Sequence, residues 1–262
     1  MTLSAGFGTL PFYLLGTGGR ALLFKLFFGC VLSKLVIFIL FDIDGTLLYS
    51  DKLDSRCFAN SYEAIFGQPF PTIDWTKFAE VTDHVIFRTA FHDHFGRFPT
   101  ELERLTFEEH YLDALRNARS ANPAQFCEIP GAARLWHHLE ADERYLPGIA
   151  TGGWQRPAAI KLAHVGIPPT QPFAGYANDK FSRVDILNEA INKARAAHAI
   201  DRIIYVGDAS WDVTTTKKMN LPLIGIRRAG DHHSLHDLGA ERVITDYSDP
   251  QSFFDHLHAA LG

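Results

Sequence analysis

The sequence predicts an α/β fold, a Rossmann-like core with a parallel sheet and an inserted all-helical module. Three observations carry that prediction. Val36–Phe41 is an unbroken apolar run rich in β-branched and aromatic residues, which reads as a strand buried on both faces. Two further apolar runs, Tyr145–Ala150 and Ile203–Val206, alternate with helical periodicity, the pattern of parallel strands joined by helices. From about residue 50 to residue 128 the periodicity is helical only, with no strand pattern to interrupt it.

The first strand ends in Asp42-Ile43-Asp44-Gly45-Thr46. Both carboxylates can therefore face the crevice at the carboxyl end of a core strand, where open α/β sheets take their ligands, and Gly45 permits a sharp exit. Beyond Leu48, Asp54-Ser55 can cap a helix through Phe58, Tyr62, Ile65 and Phe66, which Gly67-Gln68-Pro69 ends. Asp74–Phe95 carries apolar residues at Phe78, Val81, Val85, Ile86 and Phe91 and predicts a helix that bends near Thr82 and stops at Gly96. Thr100-Glu101-Leu102-Glu103 has the form of a capping box and opens a third helix through Leu105, Phe107, Tyr111, Leu112 and Leu115.

Ile129-Pro130-Gly131 leads into a helix through Leu135 and Leu139, and the strand Tyr145–Ala150 then ends in Thr151-Gly152-Gly153. A hydroxyl followed by two glycines, at the start of the next helix, lets backbone amides approach an anion closely. Asn178-Asp179-Lys180-Phe181-Ser182-Arg183 precedes a helix through Ile186, Leu187, Ala190, Ile191 and Ala194. The strand ending at Val206 is followed by Gly207-Asp208, with Asp212 four residues further on. Leu223–Ile226 and Gly239–Ile244 follow, and a closing helix runs from about Pro250 to Leu261.

Composition bounds the possibilities. A chain of 262 residues, 47% hydrophobic, can bury one large core and a smaller insert. A net charge of −5 and a pI near 6.2 give no basic footprint, which argues against nucleic acid as a partner. Cys30, Cys57 and Cys127 have neither metal-ligand nor redox spacing and read as thiols of a reducing compartment, giving a cytoplasmic expectation. The histidines at 92/94, 137/138, 232/233/236 and 256/258 fall at no strand end and read as surface groups.

Asp42-Ile43-Asp44-Gly45-Thr46 resembles the first motif of the haloacid dehalogenase superfamily, most of whose members are phosphatases. The resemblance implies that Asp42 is a nucleophile forming an aspartyl phosphate and that Asp44 is a general acid and base whose backbone carbonyl meets a metal. Thr151 matches the second motif, and Gly152 and Gly153 would offer their amides to the substrate. Asp208 would be the remaining metal ligand and Asp212 would support its loop. The third motif is a basic residue, and here the usual Lys-Pro pair is absent. Lys180 and Arg183 both remain candidates, with an Asp-x-x-Arg pattern favouring Arg183. Lys161, two turns into the preceding helix, is expected to point away.

The helical insert resembles the cap of the family's first cap class. That divides the chain into a core of 35–49 and 129–262 and a cap of 50–128, with hinges at Leu48–Ser50 and Glu128–Pro130. Within the cap, Thr82, Asp83, His84 and Arg88 form a polar cluster at helical spacing. His84 and Arg88 could bind an acidic substrate, or the cluster could be a solvated helix face. Residues 1–34 fit neither a membrane span, which needs about 20 consecutive apolar residues, nor a signal peptide. Because family members commonly begin near Lys34, this extension reads as an extended or misassigned start, with membrane contact through residues 1–33 as the less favoured alternative.

Two carboxylates from the first strand and one from a later strand suit a hard, oxygen-liganded cation, which points to Mg2+. The expected activity is Mg2+-dependent hydrolysis of a small phosphorylated metabolite, with phosphoglycolate as the leading candidate. A phosphomutase would share all four motifs. A dehalogenase would lack the second aspartate, and a catalytically silent phosphate-binding protein would have lost Asp42, Asp44 or Asp208.

Overall fold

The apolar run at Val36–Phe41 forms the strand about which the sheet is built. The structure is a computed structural model describing residues 36–50 and 52–262, so the reading of residues 1–34 as an extension lies outside the described residues. β1 (Val36–Phe41) is flanked in parallel by β4 (Tyr145–Ala150) and β6 (Ile200–Gly207), with Phe38 opposite Leu146 and Leu40 opposite Tyr205. With β5 (Ala174–Gly175), β7 (Leu223–Ile226) and β8 (Arg242–Ile244) the order is β5-β4-β1-β6-β7-β8, all pairings parallel. β5 was not legible in the sequence, because two residues are too few to display a period.

Helices cover this sheet, as parallel sheets require. α4 (Ala132–Ala141), α5 (Gln155–His164), α6 (Arg183–Ala197), α7 (Ser210–Met219), the single turn α8 (His233–His236) and α9 (Pro250–Leu261) connect or follow the strands. β1 is buried on both sides: on one, Phe38 meets Phe173 edge-on at 6.5 Å, and on the other Phe41 meets Trp136 of α4 at 5.7 Å and stacks on Phe253 of α9 at 6.4 Å.

Between β1 and β4 the chain leaves and re-enters through a two-residue antiparallel ribbon, β2 (Leu48–Tyr49) with β3 (Cys127–Glu128). The regular structure between these strands is helical: α1 (Leu53–Phe66), α2 (Asp83–Phe95) and α3 (Glu101–Ala121), with short 3-10 turns at Trp75–Lys77 and Pro123–Gln125. α3 opens on the expected capping box, Thr100 Oγ1 accepting from the Glu103 amide at 3.3 Å and the Glu103 carboxylate from the Thr100 amide at 2.8 Å.

Two helix starts differ from the sequence reading. Asp54 does not cap α1; the chain turns in at Lys52, in left-handed conformation, because the Asp54 carboxylate is bound to Tyr111 and Lys161. Asp74–Phe95 is broken rather than bent at Thr82. Asp74 caps the 3-10 turn, Thr82 has extended backbone, and its hydroxyl accepts from the Val85 amide at 3.2 Å to start α2.

The helices of this segment pack through aromatic rings. Phe107 stands 4.7 Å from Phe87 and 4.8 Å from Phe58, and the indole of Trp154, from the loop after β4, lies about 6 Å from all three. Phe107 and Trp154 are both fully buried. Phe107→Ala should cost about 3–5 kcal/mol through the cavity it leaves. Calorimetry of the variant should show melting lowered by roughly 6–20 °C for a protein of this size.

Candidate active site

The carboxyl ends of β1, β4 and β6 bring together Asp42, Thr151 and Asp208, each one residue beyond its strand. Asp42 is buried; one oxygen accepts from the Ile43 amide at 2.8 Å and the other faces Arg183 Nη2 at 3.2 Å. Burial pushes its carboxyl up, against the pull of the Arg183 guanidinium.

Arg183, the first residue of α6, is itself buried. Its Nη2 donates to Asp212 Oδ1 at 2.5 Å and to the Tyr205 hydroxyl at 2.9 Å, while Nη1 reaches the Val81 carbonyl of the helical segment at 3.4 Å. Gly152 makes room for this arginine, since a Cβ there would lie 2.6 Å from Nη1 and 2.6 Å from the Val81 oxygen. Asp212 is fully buried. Its second oxygen accepts from the amides of Asp208 and Ala209 at 3.1 and 3.0 Å, which fixes the loop that carries Asp208.

One carboxylate oxygen from each of Asp42, Asp208 and Asp212 lies within 4.8 Å of the others, a cluster that could hold a metal ion. Asp212 already serves Arg183, Tyr205 and two amides, so Asp42 and Asp208 are the pair with capacity to spare. Burial, with Asp212 and Asp42 close by, pushes the Asp208 carboxyl well above its ordinary range. A divalent cation would offset that repulsion, and an all-oxygen donor set suits a hard one. Gly45 lets the chain pass beneath: its φ is +75°, and a Cβ would fall 2.1 Å from the Asp208 carboxylate.

Asp44 faces the same space from the other side. Its Oδ2 accepts from Lys161 Nζ at 2.6 Å, and Oδ1 is buried without a partner among the described residues. Here the structure corrects the sequence reading, in which Lys161 pointed away. The signal was present: in α5, Lys161 shares the inward stripe of Ala158 and Leu162, so its stem is buried and its ammonium emerges at the site. Lys161 Nζ also contacts Asp54 of α1 at 2.9 Å, and Asp83 of α2 lines the same cavity. Burial would lower the ammonium's pKa, but Asp44 and Asp54 reverse that and hold it charged. One ammonium cannot hold three carboxyls low, and burial pushes Asp44 up to about 6 and Asp83 to about 7.

The cavity enclosed by these groups measures about 100 Å3. Asp42, Asp44, Thr151 and Arg183 line its sheet side, and Asp54, Thr82 and Asp83 its helical side. α2 docks onto the Thr151-Gly152-Gly153 turn: the Asp83 amide donates to Gly152 O, and its carboxylate accepts from the Trp154 amide, both at 2.8 Å. A cavity of about 450 Å3 at the opposite ends of β6, β7 and β8 holds none of these carboxylates, so size does not locate the chemistry.

Three residues named from the sequence lie elsewhere. Lys180 pairs with Glu189 at 3.4 Å and does not line the cavity, leaving Arg183 as the basic group at Asp42. Arg88 lies over the rings of Phe98 and Phe181, at 4.2 and 5.5 Å, and His84 is buried edge-on to Phe181 at 4.8 Å. His84 and Arg88 do share one face of α2, as the spacing required, but that face packs on Phe181 rather than opening to the carboxylates.

The family model of haloacid dehalogenase-like hydrolases matches residues 39–226. A hydrolase from Pseudomonas syringae superposes with a TM-score of 0.59 at 21% identity, over 84% of this chain and 98% of its own. A provisionally assigned beta-phosphoglucomutase from Bacteroides vulgatus gives 0.61 at 17%, over 87% and 91%. A predicted phosphoglycolate phosphatase from Haemophilus somnus gives 0.52 at 14%, over 86% and 100%. At these identities the structures share the fold. No curated protein matches the chain. Among the described residues, no helix is long and apolar enough to cross a membrane.

The raised carboxyl of Asp83 has a consequence for stability. A group that binds its proton more tightly folded than unfolded contributes fully at low pH, and the contribution is lost as pH rises through the folded value. For Asp83 that window runs from about pH 4 to about 7. Urea unfolding across this range should show metal-free protein losing stability with rising pH, and Asp83→Asn losing less.

Proposed function

The chain belongs to the haloacid dehalogenase-like hydrolases, and we propose that within that family it is a Mg2+-dependent phosphatase of small phosphate monoesters. The observation that carries this reading is the pair of aspartates at the end of β1. Asp42 lies against Arg183 beside Asp208, and Asp44, two residues on, lines the same cavity.

In this reading Asp42 attacks phosphorus, the bond to the leaving oxygen breaks, and Asp44 supplies that oxygen with a proton. The product is an aspartyl phosphate on Asp42. Water then attacks this phosphorus, Asp44 takes the proton back, and inorganic phosphate leaves with the Asp42 carboxylate restored. Arg183, the Thr151 hydroxyl and the Gly152 amide would hold the phosphoryl oxygens as their charge redistributes, while the Gly153 amide donates to Thr151 Oγ1 at 3.2 Å and orients that hydroxyl. Asp42, Asp208 and the Asp44 carbonyl would hold Mg2+, which when bound offsets repulsion between the carboxylate and the phosphoryl group.

The cavity over Asp42 and Thr151 is about 100 Å3 and adjoins one of about 440 Å3 lined by Asp44, Asp208 and Arg227, room for a small phosphate ester. Phosphoglycolate, first suggested by resemblance, is compact enough to be the first compound to try. Arg88 has no part in selecting its carboxylate in this reading, because the helical side of the cavity presents Asp54 and Asp83 instead. A phosphomutase would use the same groups and transfer the phosphoryl to a second hydroxyl.

The test is a panel of small phosphate esters assayed with Mg2+ for inorganic phosphate. Asp42→Asn should abolish release with melting temperature preserved, and chelation should do so reversibly. Full activity of Asp42→Asn would overturn the reading, and isomerised product without phosphate release would mark a mutase.

A further inference from the structure

We propose that Lys161 is the positioning residue of the Asp44 acid/base and sets the orientation in which its carboxyl handles the proton. The inference rests on the phosphatase reading above. It concerns a residue that none of the four motifs contains.

The geometry is specific. Lys161 is buried, with a side chain 4% exposed, and its ammonium stands 2.6 Å from Asp44 Oδ2 and 2.9 Å from Asp54 Oδ1. Asp54 is fixed in turn by the Tyr111 hydroxyl of α3. An ammonium has only donors, so Asp44 Oδ2 is held as an acceptor and the carboxylate is fixed in one orientation. Asp44 Oδ1 is buried with no partner among the described residues, so no hydrogen bond to that oxygen competes in setting the orientation. Lys161 thereby aims the carboxyl that carries the proton to the leaving oxygen as the P–O bond breaks, and that recovers it from the attacking water.

Lys161 also joins this orientation to the helical segment. Asp44 follows β1 and Lys161 belongs to α5, whereas Asp54 lies in the first turn of α1. With α1 docked, the ammonium is held between the two carboxylates and Asp44 has one orientation. Without Asp54, Lys161 loses one of its two anchors and Asp44 loses its fixed angle. Seating of the helical segment and alignment of the acid/base are one event.

The experiment compares Lys161→Met, Lys161→Arg and Asp54→Asn with the wild-type chain, using kcat/KM for an alkyl phosphate and for p-nitrophenyl phosphate. The aryl leaving group departs without a proton, so it reports on the nucleophile and phosphate site alone. Lys161→Met should lose about 100-fold or more on the alkyl ester and no more than about tenfold on the aryl ester, the signature of a lost proton donor. Calorimetric binding of inorganic phosphate should persist, and Lys161→Arg should recover part of the loss. Asp54→Asn should show a smaller loss with the same preference for the alkyl ester, and it decides the matter if Lys161→Met does not fold. Equal losses on both esters, or no loss on the alkyl ester, would overturn the proposal while leaving the phosphatase reading intact. A wild-type chain that hydrolyses neither ester would overturn the phosphatase reading and this inference together.

Discussion

Two buried cations hold this site together. Arg183 and Lys161 are each 4% exposed, and each is shared by carboxylates from different elements: Arg183 by Asp42 after β1 and Asp212 in α7, Lys161 by Asp44 after β1 and Asp54 in α1. Burying these ions is costly, and the attraction within each set returns that cost only where the geometry is good. Such an arrangement is not chiefly a source of stability. It fixes the aspartates of one strand end against a helix on the sheet side and a helix on the insert side, and pairs them with groups that tertiary folding alone brings near.

That constraint explains the local sequence. Gly45 and Gly152 are glycines because Asp208 and Arg183 occupy the space a side chain would need. Thr82 ends one piece of chain and starts α2, so that Asp83 enters the cavity from above the Thr151 turn. Raised carboxyls at Asp42, Asp44, Asp83 and Asp208 all reflect the same excess of acid over base in a poorly solvated space. Clusters of perturbed groups in a cleft mark functional sites more often than structural ones.

Much of this was legible without coordinates, for a physical reason. β1, β4 and the Ile203–Val206 part of β6 announce themselves because strand buried on both faces is apolar, and each strand ends in short polar groups that a packed core would not tolerate unless they served a purpose. The capping box of α3 is local chemistry and appeared as read. What escaped was set by packing at long range. Lys161 and Asp44 are 117 residues apart, and the sequence does not show that their side chains converge. Arg88 is the opposite case: spacing correctly placed it beside His84, but its guanidinium lies over Phe98, just beyond α2, and Phe181, from the loop before α6, a pairing that helical spacing does not show. Lys180 and Arg183 both precede or open α6, and only the helix's docking angle distinguishes an arginine facing Asp42 from a lysine paired to Glu189.

Trp154 occupies a position with an optical consequence. It follows Thr151-Gly152-Gly153 directly, yet its indole is buried among Phe58, Phe87 and Phe107 of the helical segment. Any separation of that segment from the sheet must bring this indole into water and tug on the turn where an anion would rest. With four tryptophans in the chain, a shift of emission to longer wavelength would be a large part of the total signal. The protein thus carries a built-in fluorophore where the helical segment meets the sheet, able to report any such separation in real time without a label.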